Sequence, residues 1–164
     1  MEIFSAKVDL EGVRDLVKRY PEESQAAQVA KITEALLLLE STIKPMVPVG
    51  AGPIHLRDTI FQKTMVEGES VWGMIGTPAE YGLPVEMGTR PHFPPVAPIQ
   101  FWVEKGMGLT GKEAKSVAFL IARAISRRGT PARQPFESGY EEVASTVDRI
   151  LKQIPEDIVR RLES

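Results

Sequence analysis

The stretch "GMGLTGKE", Gly106 to Glu113, brings together the glycines and lysine that phosphate chemistry uses. It reads both as G-x-G-x-x-G and as G-x-x-x-x-G-K. A phosphate-cradling loop needs Ser or Thr after the lysine to hold magnesium, whereas Glu113 would repel phosphate. A dinucleotide fingerprint needs a preceding strand and an acidic residue about twenty positions on. Ser126 to Gly129 stands there, with Arg127, Arg128 and no acid. The stretch therefore reads as a helix–helix corner that turns at Gly106 and Gly108, with Thr110 as N-cap of the second helix.

Other chemistry is equally bare. His55 and His92 are the only histidines. No H-E-x-x-H surrounds them, and a metal site would need both to converge with carboxylates from unrelated segments. No G-x-S-x-G elbow supports a serine nucleophile. With no cysteine, disulfides, thiol nucleophiles, iron–sulfur clusters and zinc knuckles drop out. The chain reads as non-enzymatic, with no catalytic or metal-binding residue and no cofactor.

"PVEMGTRPHFPP", Pro84 to Pro95, offers binding rather than bond-making. Gly88 can take a positive φ and let the chain turn after Glu86. Pro91 biases Arg90 toward an extended conformation, and Pro94 and Pro95 keep the next segment stiff. A rigid, exposed loop loses little entropy on docking, which makes Glu86, Arg90, His92 and Phe93 candidate contacts. The alternative is an internal corner in which Glu86 pairs with Arg90 and Phe93 joins the core. A second candidate surface is basic: Lys112, Lys115, Arg123, Arg127, Arg128 and Arg133 succeed one another along a helix and the linker after it. They suit an acidic partner surface or DNA passing nearby, although Glu113 interrupts the stripe.

These residues need elements to hold them. Ala26, Val29, Ile32, Leu36, Leu39 and Ile43 recur at helical spacing behind Pro21, Glu22 and Glu23, a helix-start signal. "KPMVPVGAGP" should end that helix. Leu56 to Val66 and Ser70 to Gly76 are rich in β-formers, and "EGES" between them reads as a hairpin turn. "PIQFWVEKG" is a short amphipathic piece. The next helix runs over Thr110 to Arg128, with Ala114, Val117, Ile121, Ala124 and Ile125 on its apolar face and Gly129 as its end. The last helix starts at Phe136, and Pro155 kinks or restarts it. Before Pro21, Ile3 to Leu10 alternate as a short strand might and Val13, Leu16 and Val17 recur at the spacing of a helical turn, with residues 1–20 as a flexible lead. The expected fold is one α+β domain over residues 1–164: a small antiparallel sheet built on the hairpin, packed by the long N-terminal helix and two C-terminal helices.

Composition sets wide bounds. The chain has 164 residues, 43% hydrophobic and 26% charged, with a net charge of −2. That suits a globular protein and gives no global attraction to nucleic acid. Neither a secretory signal pattern nor an apolar run long enough to span a bilayer is present, so the expectation is a soluble protein made in the cytoplasm.

The order "LRDTI", a hairpin, "GTPAEYGLPVEMGTRPH", "VAFLIARAISRRGTPARQPF" and a last helix resembles the tail-component, or tail-completion, family of long non-contractile tailed phages. The residues that carry the likeness are Leu56, Arg57, Asp58, Tyr81, Val85, Glu86, Gly88, Thr89, Pro135 and Phe136, over roughly residues 20 to 155. "EYGLPVEMGT" departs from the family, many members of which have alanine after the tyrosine and a valine or aromatic before the glycine. The resemblance implies a small α+β virion protein of the neck or tail end, assembled in the host cytoplasm, with no enzymatic activity. It also implies a homo-oligomeric ring that meets head–tail connector, tail terminator or tail tube proteins, with no membrane partner. The corners "EMGTRPH" and "RRGTPARQPF" are its expected interfaces, with Arg127, Arg128 and Arg133 as cations and Phe93 and Phe136 as apolar anchors. The alternatives are a minor capsid or head-decoration protein and, from another class, a DNA-binding regulator using the 110–128 helix.

Overall fold

The longest helix lies where proline, two glutamates and a six-turn apolar stripe place it. In the computed structural model, which describes residues 14–48, 55–68 and 70–163, a first turn α1 (Arg14–Arg19) precedes this helix, α2 (Pro21–Met46). After α3 (Leu56–Thr59) come β1 (Phe61–Glu67) and β2 (Ser70–Gly76). The rest of the chain is helical: α4 (Gly82–Met87), α5 (Val96–Met107), α6 (Gly111–Arg128), α7 (Pro135–Leu151) and α8 (Ile154–Leu162). The protein is α+β, as expected: helices packed with a single two-stranded antiparallel sheet among the described residues. These elements fall into two units, each with its own packing.

One unit comprises α2 through Lys44, the hairpin, and α7 and α8 from Phe136 onward. Helix α2 is its axis. Gly73 in β2 exists for close approach: a Cβ there would lie 2.7 Å from Ile32 Cγ2 and 3.2 Å from Leu36 Cδ1. Thr33 and Thr64 share a hydroxyl hydrogen bond of 2.9 Å between α2 and β1. Helix α7 approaches as tightly, since a Cβ on Gly139 would meet Ile43 Cγ1 at 2.5 Å and its Cα at 3.3 Å. Near the junction of α7 and α8, Lys31 Nζ donates to Gln153 Oε1 at 3.1 Å. Gly139→Val is expected to cost about 1–3 kcal/mol by overpacking this contact, measured by denaturant unfolding.

Contact on more than one side of α2 explains a departure from the sequence reading. Leu36, Leu39 and Ile43 are buried as expected, but Ala26 is exposed, while Ser24, Ala27 and Gln28 are buried. A single-stripe pattern does not describe a helix with several neighbours. The hairpin turns at Gly68, whose φ is +59°, with Glu67 paired to Ser70.

The other unit holds residues 45–59 and Thr77–Pro135. Helices α5 and α6 pack as a pair through Val103, Ala114 and Ala118, with Val96, Ile99, Leu109, Val117 and Ile121 around them. The buried alanine row on α6 is Ala114, Ala118 and Ala122, four residues apart, and Ala124, expected on this face, is exposed. Gly108, left-handed at φ +69°, closes α5, so the glycine-rich stretch is a helix–helix corner, although Gly106, expected at the turn, lies within α5. Thr110 occupies the N-cap position without a side-chain cap bond.

Two expected boundaries move. Leu56 to Thr59 is a helical turn rather than the start of the strand: Thr59 Oγ1 bonds the Leu56 carbonyl at 2.8 Å and Thr77 Oγ1 at 2.7 Å. Such local bonds override the β-forming composition. Helix α4 takes the first part of the stretch read as a rigid loop: Pro84 sits in its first turn, where the missing N–H is harmless. The expected strand and lead at the N-terminus fall largely on residues 1–13, and much of the proline-rich crossover falls on residues 49–54, outside the described residues.

Candidate functional site

Helix α4 ends at Gly88 and α6 ends at Gly129, and both glycines adopt backbone angles that only glycine takes readily. Gly88 has φ 70°, ψ −175°, and Gly129 has φ 71°, ψ −160°. Each turns the chain into a threonine, and the two threonines meet. The Thr89 N–H donates to the Thr130 carbonyl at 3.0 Å, and the Thr130 N–H donates back at 3.2 Å. Their hydroxyls share a 2.9 Å hydrogen bond, and the Thr130 N–H also reaches Thr89 Oγ1 at 3.1 Å.

Absence of side chains is what permits this clasp. A Cβ on Gly129 would collide with the Thr89 carbonyl oxygen, and one on Gly88 with the Thr130 carbonyl oxygen. The linker after Thr130 then satisfies the end of α4. Arg133 N–H donates to the Val85 carbonyl at 2.9 Å and Gln134 N–H to the Glu86 carbonyl at 3.2 Å. Helix C-terminal carbonyls otherwise lack partners. Gln134 takes a positive φ of 49°, rare for a residue with a side chain.

The corner brings together residues far apart in sequence and sorts them. Arg90 comes after Thr89, Arg127 and Arg128 precede Gly129, and Arg133 lies on the capping linker; all four are exposed. His92 is exposed, with Nδ1 2.9 Å from the Arg90 carbonyl oxygen. Phe93 is 55% exposed and leans on Phe119, ring centroids 6.1 Å apart at 56°. Two candidates are buried: Glu86, 6% exposed in this unit, and Phe136, 1% exposed in the other. The internal-corner alternative fails for Phe93, which is not core, and Arg90 is exposed where Glu86 is buried. The exposed candidates are Arg90, His92, Phe93, Arg127, Arg128 and Arg133.

The pairing of Thr89 with Thr130 is what sequence reasoning missed. Its signal is visible: Gly88-Thr89-Arg90-Pro91 and Gly129-Thr130-Pro131 repeat a glycine–threonine turn with a proline close behind. Also missed were Phe119 and Leu120, 50% and 59% exposed on α6. Chemically, the corner is a fixed backbone junction under a cationic surface, with its threonine hydroxyls engaged with each other. No cluster of three or more His, Asp or Glu suited to a metal occurs among the described residues. No helix among them is long and apolar enough to cross a membrane. Set against protein-family models, curated proteins and solved structures, the chain matches none.

Proposed function

We propose that this protein is a non-enzymatic structural subunit of the neck or tail end of a long non-contractile tailed phage, completing the tail and mediating head–tail joining. One observation carries the reading. The motif "VEMGT" and the segment "GTPARQPF", which bear much of the resemblance to tail-completion proteins, form one backbone-clasped corner although Thr89 and Thr130 are 41 positions apart. Residues held this way serve geometry rather than bond chemistry. A stiff corner topped by Arg90, His92, Phe93, Arg127, Arg128 and Arg133 suits docking, because little conformational freedom remains to be lost.

In this reading the subunit forms a homo-oligomeric ring and meets connector, tail terminator or tail tube proteins, without cofactor or membrane. Electron microscopy of lysates from a phage or prophage with an early stop codon in this gene tests it. Full heads beside separate, complete-length tails are expected, with joined particles restored by a plasmid copy. Normal tailed particles would end the reading. The exposed basic side of α6 favours a second reading, a DNA-binding regulator, which requires duplex binding by the purified protein that weakens steeply with salt.

A further inference from the structure

The two segments joined by the Thr89–Thr130 clasp carry exposed charge of one sign. Between Glu86 and Glu104, and again between Glu113 and Glu137, the chain has no Asp or Glu, while Arg90, Lys115, Arg123, Arg127, Arg128 and Arg133 all fall within these stretches. Each of these cations is exposed, and none takes part in an ion pair among the described residues. The bordering carboxylates leave the corner clear. Glu86 is buried, Glu80 precedes α4 at the end away from the clasp, and Glu137 lies on α7 in the other unit. About 15 Å of helix separates Glu113, in the first turn of α6, from Arg123. The clasp fixes this arrangement: the Arg90 carbonyl carbon would lie 3.0 Å from a Cβ on Gly129, which directly follows Arg127 and Arg128.

Aromatic rings stand among the cations. Phe119 comes one turn after Lys115 and one turn before Arg123, so the three share a face of α6. Phe93, three residues after Arg90, leans on Phe119, and both rings keep about half their surface open. All the cations but Lys115 are arginines, whose planar forks grip phosphate through paired hydrogen bonds where lysine offers a point charge. A site of one charge sign suits a polyanion. The open rings select among polyanions, because an acidic protein surface has no use for them and a duplex keeps its base faces stacked inside.

We propose that this corner binds a single-stranded nucleic acid, with the arginines on its phosphates and the Phe93–Phe119 pair as the platform for a base. Such contacts read phosphate and base face and leave the sugar unread, so DNA and RNA strands are equivalent ligands. The inference goes beyond the joining role and does not rest on it.

Fluorescence anisotropy tests it, with the full chain titrated into labelled oligothymidine, oligouridine and a duplex. Both strands are expected to bind, more tightly than the duplex, with a log–log salt slope of about −0.7 for each phosphate contacted. Arg127→Glu with Arg128→Glu, and separately Arg90→Glu with Arg133→Glu off the helices, should each weaken strand binding on the order of tenfold or more, with the circular dichroism spectrum unchanged. Phe93→Leu keeps every charge; it should weaken binding about tenfold and leave the salt slope as it was. Arg14→Glu with Lys18→Glu, at exposed positions on α1, changes net charge equally and should have little effect. Strands that fail to bind at low salt would overturn the proposal, as would an equal loss in the α1 variant, which would leave net charge alone as the cause. A duplex bound as tightly as the strands, with Phe93→Leu silent, would assign the corner to phosphates without bases. Displacement by polyglutamate as readily as by unlabelled oligothymidine would assign it to an acidic protein instead. Strand binding beside normal particles from the stop-codon phage would keep the site and end the neck reading, so the two stand or fall separately.

Discussion

Gly129→Ala is expected to destabilise the α4–α6 corner by at least about 3 kcal/mol. The backbone region at φ 71°, ψ −160° is nearly closed to other residues and carries about 1–3 kcal/mol of strain for them. The methyl group would also run into the Thr89 carbonyl, which belongs to the backbone and cannot rotate aside. Relief requires opening the Thr89–Thr130 bridge, and with it the bonds that cap α4. Denaturant unfolding gives the magnitude, and faster hydrogen exchange at the Thr89 and Thr130 amides locates it. Gly108→Ala is the control. Gly108 also has a positive φ, of 69°, but nothing lies within 4 Å of a Cβ there, so only the left-handed penalty of about 1 kcal/mol applies. Equal losses at the two positions would show that the clasp contributes nothing beyond local strain.

Phe136→Ala is expected to cost about 3–5 kcal/mol, the range for emptying a buried aromatic site. The side chain is 1% exposed at the start of α7, so its loss leaves a cavity rather than a bare surface. Phe93→Ala makes the contrast. Phe93 is 55% exposed, and its removal should change stability by less than about 0.5 kcal/mol. Side by side, the two variants separate the phenylalanine that holds the fold from one that the fold does not need. A small loss at Phe136 with a large one at Phe93 would reverse these assignments.

How much of the fold is legible in the sequence depends on how local each signal is. Helices α2, α6 and α7 are legible because apolar spacing, proline, and glycine or arginine at helix ends act within a few turns. The hairpin is legible too, with Gly68 at its turn. Helix α3 is not, since "LRDTI" has β-forming residues, and the bonds from Thr59 to Leu56 and Thr77 decide its shape. The stripe on α2 misplaces Ala26 because a helix with neighbours on several sides hides more than one face. At the corner, each glycine and proline is individually informative. The Thr89–Thr130 pairing joins segments that no local pattern connects, and that pairing separates exposed Arg90 from buried Glu86.

We propose that this protein joins parts made by others rather than transforming a substrate. The most direct test is complementation outside the cell: lysate of the stop-codon phage, holding heads and tails, receives purified protein, and plaque-forming particles are counted. The expected result is recovery of infectious particles that rises with added protein, greatly reduced when Arg90 and Arg133 are both changed to glutamate in a protein that remains folded. Infectious particles at normal numbers before any protein is added would contradict the account.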